Sequence, residues 1–198
     1  MSAVLLFCTA QVPAQLINKL MEDCILPDPD FTMNFFSLVR TPDQPDVDDW
    51  ATEPPVDYFT TGFLGKTDAE LRRFPTERIP QVEHGQTVDK RWVAVLDEQS
   101  MSTQTVVLHN SYAKSLWDEV RPGEPIPAGG KSFEDGRIWW KWRVPFKHAW
   151  TFYNSLESDP TATTLNQYAR PELHKDGVVD MDTVQKIMDG DMTIEDLS

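Results

Sequence analysis

The sequence predicts an α+β protein with a mainly antiparallel sheet, helices packed on one face of that sheet, and an acidic C-terminal extension. Three observations lead to this fold class. Segments 91–97 and 103–109 are rich in β-branched and apolar residues around a short polar link, and side chains of different character alternate over 137–144, as expected for strands. Apolar residues also recur at helical spacing after Pro13 and after Pro145. The order of these elements favours a ferredoxin-like arrangement.

The composition predicts one folded domain over residues 1–170, followed by an acidic extension over 171–198 that carries a short helix. With 40% hydrophobic and 11% aromatic residues, the chain of 198 residues has enough apolar material for a substantial core. The segment 41–57 differs, because it contains four prolines and six acidic residues but no lysine or arginine. We expect it to form a long surface loop, a feature that in compact domains is usually functional or mobile.

The charge balance restricts the partners. A formal net charge of -14 opposes binding to nucleic acid or to an anionic membrane surface, and no apolar run is long enough for a membrane span. Cys8 and Cys24 form no disulfide framework, and no zinc or calcium spacing is present, so we expect no metal, no cofactor and a cytoplasmic location. Residues 2–10 lack the basic start of a signal peptide and are predicted to form a strand.

The first elements are predicted to be strand, helix and strand. Residues 4–8 are uniformly apolar, and a helix is predicted after Pro13. Over residues 31–39, side chains of two faces alternate as in a strand. The helix is long enough for a crossover, so these two strands can lie parallel in one sheet. Further on, Thr67 and Glu70 stand in capping-box register and predict a short helix that ends before Pro75.

The middle and the end of the chain contain the strongest local signals. Segments 91–97 and 103–109 are predicted to pair as an antiparallel hairpin across the polar link 98–102. A short helix is expected over 111–120, and another after Pro145. In the acidic extension, Asp180 or Asp182 can cap a helix that runs through Met188.

The most unusual segment of the chain is residues 137–144, in which three tryptophans alternate with cations. In a strand, successive side chains point to opposite faces, so Ile138, Trp140, Trp142 and Val144 are predicted to face the core. The other face then carries Arg137, Trp139, Lys141 and Arg143. In so acidic a protein, this cationic and aromatic face either meets an anionic ligand or packs beneath acidic segments of the same chain.

His109 is the candidate catalytic residue, because it ends a predicted strand and opens a run of hydrogen-bonding side chains that includes Tyr112. Aligning the apolar residues of the hairpin puts Asp97 near the turn and His109 beside Trp92, at the other end. A catalytic His109 would therefore need an acid from elsewhere, such as the acidic loop; the alternative is a structural histidine bonded to backbone. The candidate ligand-binding residues are Trp92, Trp139, Lys141, Arg143 and Tyr112.

Two functions of different class follow. In the first, the cationic and aromatic face lines a pocket that binds a small anionic or aromatic molecule and could convert it by acid-base chemistry. In the second, the chain is an acidic interaction module that docks a basic protein through residues 41–57 and 180–198. A third reading has no ligand, because the chain's own acidic loop covers the cations. Whether that face is open or sealed distinguishes these possibilities.

Overall fold

The strands that the structure describes form one sheet. The structure is a computed structural model that describes residues 2–25, 34–45, 47, 51–79, 88–158, 165 and 168–197. Within them lie β1 (Ala3–Cys8), β2 (Phe36–Val39), β3 (Val88–Leu96), β4 (Thr105–Ala113), β5 (Lys131–Ser132), β6 (Arg137–Pro145), β7 (His174–Lys175) and β8 (Val178–Val179). The α-helices are α1 (Ala14–Asp23), α2 (Asp68–Arg78), α3 (Glu98–Thr103), α4 (Lys114–Val120), α5 (Ala149–Ser158) and α6 (Met181–Met188).

The sheet is mixed, so the predicted mainly antiparallel, ferredoxin-like sheet is wrong, although the fold is α+β. The strands are ordered β2-β1-β3-β4-β6-β8-β7, and β5 also pairs with β6. Strand β1 runs parallel to both of its neighbours, and β6 runs parallel to β8, whereas the remaining pairs are antiparallel. Parallel pairing needs no local turn in the sequence, which is why it leaves a weaker signal than a hairpin.

The opening of the chain forms the predicted parallel unit. Strand β1 is buried along its whole length and pairs with β2 in the register Val4 to Phe36. Helix α1 connects the two strands and buries Ile17 and Leu20 against the sheet. A strand with parallel neighbours on both sides and cover on both faces reads as a continuous apolar run, and this explains its sequence. Residues 31–33 of the predicted second strand lie outside the described residues.

The predicted hairpin between β3 and β4 is confirmed, but its register differs by one residue from the predicted one. Val93, not Trp92, lies opposite His109. The link is a short helix, α3, capped by Asp97, and the strand begins only at Thr105. Because side chains alternate along a strand, a shift of one residue moves each of them to the opposite face of the sheet.

The two faces of the sheet bury separate apolar clusters, so the prediction of helices on one face only is also wrong. The larger core includes Trp92, Trp140 and Trp142 with residues of α1, α5 and α6. The smaller core lies on the other face, where Leu71 and Phe74 of α2 pack with Trp139. The acidic segment 41–57 contributes to both cores through Val47 and Val56, and its residues 46 and 48–50, including Trp50, lie outside the described residues.

Several predicted boundaries change. Helix α2 continues through Pro75 to Arg78, and the proline ring is buried, although an interior proline removes a helical hydrogen bond. Strand β4 continues to Ala113, since Ser111 pairs with Trp139, and α4 is therefore shorter than predicted. Asp180 caps α6 as expected. The division at residue 170 stays a prediction; strand β8, beyond it, pairs with β6.

Burial of β1 on both faces gives a stability prediction. Leu5 is fully buried in the smaller core, whereas Leu64 is 68% exposed. We expect Leu5→Ala to lower the free energy of unfolding by about 2–5 kcal/mol, because the substitution leaves a cavity. The matched change Leu64→Ala should cost less than about 0.5 kcal/mol. Urea unfolding of both variants checks this, and equal losses would contradict the placement of β1.

Candidate ligand-binding site

Strands β4 and β6 bring the tryptophan-rich segment and His109 together. They pair over nine positions, with His109 opposite Lys141 and Ser111 opposite Trp139. As predicted from the alternation, Ile138, Trp140, Trp142 and Val144 are buried in the larger core. The other face of the same strands carries His109, Trp139, Lys141 and Arg143.

Helix α2 lies over this second face. A complete capping box between Thr67 and Glu70 fixes the start of the helix. Asp68, in the first turn, accepts a hydrogen bond of 2.9 Å from the Nζ of Lys141. The helix thus supplies the anion for one of the predicted cations.

His109 is completely buried and is held by α2. Its Nδ1 accepts a hydrogen bond of 3.0 Å from the Nε of Arg72, so the neutral ring carries its proton on Nε2. Nε2 has no hydrogen-bond partner among the described residues, and Asp68 Oδ1 is its nearest acid at 3.7 Å. Burial lowers the pKa of His109 to about 3; the charge of Asp68 opposes this shift, and Arg72 and Lys141 reinforce it.

The pKa of Asp68 is also lowered, which keeps this carboxyl group charged, whereas His109 is neutral. Burial alone would raise the pKa of its carboxyl group, but His109, Lys141 and Arg72 lie beside it and hold that pKa below the usual value. The first turn of α2 therefore presents a carboxylate to the sheet.

Arg72 lies between His109 and a cleft. Its guanidinium carbon is 4.9 Å from the ring centre of Phe133 and 5.2 Å from that of Trp139, which are cation-π distances. The Nε atom bonds His109, and neither terminal NH2 group forms a hydrogen bond with any residue that the structure describes. Burial lowers the pKa of Arg72, while Asp68 and Asp135 act to raise it; the side chain stays charged at neutral pH.

Two adjoining spaces open between α2 and the hairpin of β5 and β6. The arginine cleft has a volume of about 580 Å³ and is lined by Ala69, Arg72, Arg73, Ser132, Phe133, Glu134, Asp135 and Trp139. The lysine cleft has a volume of about 380 Å³; it shares Arg72, Phe133 and Trp139, and adds Lys131 and Lys141 among others. The larger volume lies within the range of about 300–1,000 Å³ typical of small-molecule sites.

Some of the predicted site residues line the clefts, and others do not. Trp139 and Lys141 line the clefts. Arg143 does not, because it forms an ion pair with Asp97 and its side chain is only 12% exposed. His109 lies behind Arg72 and lines neither cleft.

Trp92 and Tyr112 lie on the opposite side of the sheet from the clefts, contrary to their predicted place in one pocket with Trp139. The Nε1 of Trp92 donates a hydrogen bond of 2.7 Å to Glu157, and Tyr112 packs edge-on against Trp117. The one-residue difference in register accounts for Trp92, and alternation along β4 from His109 accounts for Tyr112.

Five charged or aromatic residues of the arginine cleft were not recognised from the sequence: Arg72, Arg73, Phe133, Glu134 and Asp135. One available signal was the capping box at Thr67, because it sets the start of α2 and places Asp68 and Arg72 one turn apart on the same side of the helix. No local pattern indicated that this side would meet His109, which lies 37 residues away in the chain.

The usual ligand position of a parallel sheet is filled by the chain itself. Such sheets commonly bind ligands beyond the carboxyl ends of their strands, where the strand order reverses, which here is between β1 and β3. The Oγ1 of Thr61 donates a hydrogen bond of 2.6 Å to the carbonyl of Cys8, and the N–H of Gly65 donates one of 3.0 Å to the carbonyl of Thr9. The clefts beside α2 are therefore the better candidate.

Other chemistry receives less support. Cys8 and Cys24 are free and buried, and burial raises the pKa of the Cys8 thiol to about 12. No group of three or more His, Cys, Asp or Glu side chains within the described ranges is arranged to hold a metal ion. Over the same ranges, no helix combines the length and the apolar character needed to cross a membrane.

Several acidic residues of the C-terminal segment form hydrogen bonds or ion pairs with other residues of the chain. Asp180 caps α6 and pairs with Lys175, and Asp182 lies 3.1 Å from the Nε2 of His148. Docking of a basic partner through 41–57 and 180–198 stays a prediction.

No protein-family model, curated protein or solved structure matches this chain. What the clefts bind must therefore follow from their own chemistry.

The different surroundings of Arg143 and Lys141 give a second prediction. We expect Arg143→Gln to lower the free energy of unfolding by about 1–3 kcal/mol, because it leaves the partly buried Asp97 without its charged partner. Lys141→Gln should cost less than about 1 kcal/mol, because both partners of that ion pair are about half exposed. Chemical denaturation of the two variants measures the difference; a larger loss for Lys141→Gln would contradict these assignments.

The buried, neutral His109 gives a prediction about pH. Its pKa in the folded protein, about 3, lies below the ordinary value of 6.5, so below pH 6.5 the unfolded chain binds a proton that the folded chain does not. This group should therefore reduce stability by about 2 kcal/mol between pH 7 and pH 5, and have no such effect above pH 7. His109→Gln should remove that loss in urea unfolding, whereas an identical pH dependence in both proteins would show that His109 is accessible to protons.

Proposed function

We propose that this protein binds a small anionic molecule with an aromatic or apolar body in the arginine cleft, and that Arg72 is the principal anion-binding residue. The observation that supports this proposal most is the state of the Arg72 guanidinium. It is oriented from behind by His109, lies over two aromatic rings, and presents two NH2 groups that bond no described residue.

An arginine held in this way is suited to anions for a physical reason. A guanidinium offers parallel N–H donors that match a carboxylate or phosphate, and such charge-assisted hydrogen bonds are stronger than neutral ones. An exposed arginine loses much side-chain freedom when it binds, but Arg72 is already fixed by its Nε bond to His109. That loss is then smaller, and the gain in affinity is larger.

The aromatic lining supports an apolar body on the ligand. Phe133 is 40% exposed, so part of its ring can contact a second aromatic or aliphatic group. Trp139 is only 2% exposed, and its Nε1 donates a hydrogen bond of 2.8 Å to Asp135. Trp139 therefore forms a rigid base beneath Arg72, while Phe133 provides the accessible surface.

His109 is a positioning residue in this proposal. It is fully buried behind Arg72 and does not line the cleft, so its proton is not placed to reach a bound molecule. The acid-base conversion that the sequence left open has less support than binding alone.

The direct test uses 3-phenylpropionate as a probe, because it joins one carboxylate to one phenyl ring. Binding is measured by tryptophan fluorescence and by calorimetry. We expect Arg72→Gln to weaken the affinity roughly tenfold or more, since charge-assisted hydrogen bonds contribute about 1.5–3 kcal/mol. The matched control is Arg121→Gln, because Arg121 also lies over a tryptophan, Trp117, at 5.4 Å. The proposal fails if the wild-type protein does not bind the probe, or if both variants bind it equally.

A further inference from the structure

The walls of the arginine cleft carry opposite charges. The wall formed by α2 contributes Arg72 and Arg73, whereas the wall formed by the turn between β5 and β6 contributes Glu134 and Asp135. The aromatic residues Phe133 and Trp139 line the same space. The cleft is thus polarised across its width, and it is not uniformly cationic.

Among these four residues no ion pair forms, although Asp135 lies near enough to Arg72 to act on its pKa. Arg73 and Glu134 line the same space, yet neither forms an ion pair or a side-chain hydrogen bond with any residue the structure describes. Asp135 is held differently, because its carboxylate accepts hydrogen bonds from the Nε1 of Trp139 and the backbone N–H of Arg137. One wall therefore has an unpaired cation, and the facing wall has an unpaired anion beside a fixed one.

From this polarity we infer that the ligand of the arginine cleft is a zwitterion, with a carboxylate at Arg72 and Arg73, an ammonium group at Glu134 and Asp135, and an apolar body against Phe133. The inference rests on the proposed function and specifies the ligand class. A ligand with an anion alone would place its charge opposite two carboxylates, which opposes binding. An ammonium group on the same molecule replaces that repulsion with attraction, so an aromatic amino acid fits the cleft better than the corresponding simple acid.

The test compares three molecules that differ only in charged groups: phenylalanine, 3-phenylpropionate, which lacks the ammonium group, and 2-phenylethylamine, which lacks the carboxylate. Affinities are measured by calorimetry at pH 7 on the full chain. We expect phenylalanine to bind roughly fivefold more tightly than 3-phenylpropionate, and 2-phenylethylamine to bind most weakly, because it lacks a group for Arg72.

A variant of Glu134 tests whether the acidic wall causes the tighter binding of phenylalanine. Glu134→Gln should abolish most of the advantage of phenylalanine and leave 3-phenylpropionate bound at least as tightly as before. The matched control is Glu119→Gln, an exposed glutamate on α4, which should change neither affinity. Circular dichroism checks that both variants are folded. If Glu134→Gln does not fold, Glu134→Ser is measured in its place.

The outcomes separate the two proposals. If 3-phenylpropionate binds through Arg72 but phenylalanine binds no better, the zwitterion inference is wrong and the anion site stands. If Glu134→Gln weakens both ligands equally, the acidic wall does not recognise the ammonium group, and the inference is again wrong. If none of the three molecules binds, the proposed function and the inference both fail.

Discussion

Strand β4 lies in the middle of the sheet and is closed to water on both faces, and this constraint determines what its polar side chains must contact. Asn110, Ser111 and His109 are all buried on this strand. A buried polar group without a partner is costly, and two of these residues, Ser111 and His109, have partners that the structure describes. The hydroxyl of Ser111 bonds the carbonyl of Arg91 and the Nε of Arg137. His109 finds its partner on α2, which links the sheet to the arginine cleft.

The cationic face of β6 is largely matched within the chain. Lys141 bonds Asp68 of α2, and Arg143 bonds Asp97 at the start of α3. This is the internal charge match that the sequence left open, and the acids of these two pairs lie at the starts of two helices, α2 and α3. On the cleft walls, the outer edge of Arg72, together with Arg73 and Lys131, forms no ion pair with any residue that the structure describes. The proposed binding site is this remainder and not the whole face.

Local patterns in the sequence predicted local structure well. The hairpin of β3 and β4, the capping box of α2, the cap at Asp180 and the two faces of β6 each depend on residues close together in the chain. The parallel pairing of β1 with β3 does not, because about eighty residues separate these strands. Alternation predicts that one face of a strand differs from the other, but it cannot specify which neighbour lies opposite, and so the register was missed by one residue.

In the candidate site, too, local patterns predicted residues of one strand but not contacts between distant parts of the chain. Trp139 and Lys141 were predicted because they belong to one conspicuous strand, and both line the clefts. Arg72 belongs to a polar helix with no unusual composition, and its tertiary contacts with His109, Phe133 and Trp139 distinguish it from Arg73. Such contacts arise from the burial of β4, which the sequence indicates, and from the position of α2 over it, which the sequence does not.

Arginine side-chain NMR on the free and ligand-bound protein is the most direct measurement of the central claim, that Arg72 is fixed by His109 and keeps its outer edge available. In the free protein we expect an Arg72 Nε–H resonance that is protected from exchange and coupled to the Nδ1 of His109. On addition of 3-phenylpropionate, the signals of its two NH2 groups should shift while the Nε–H resonance persists. An Nε–H that exchanges as fast as those of exposed arginines, with no response to the ligand, would contradict the account.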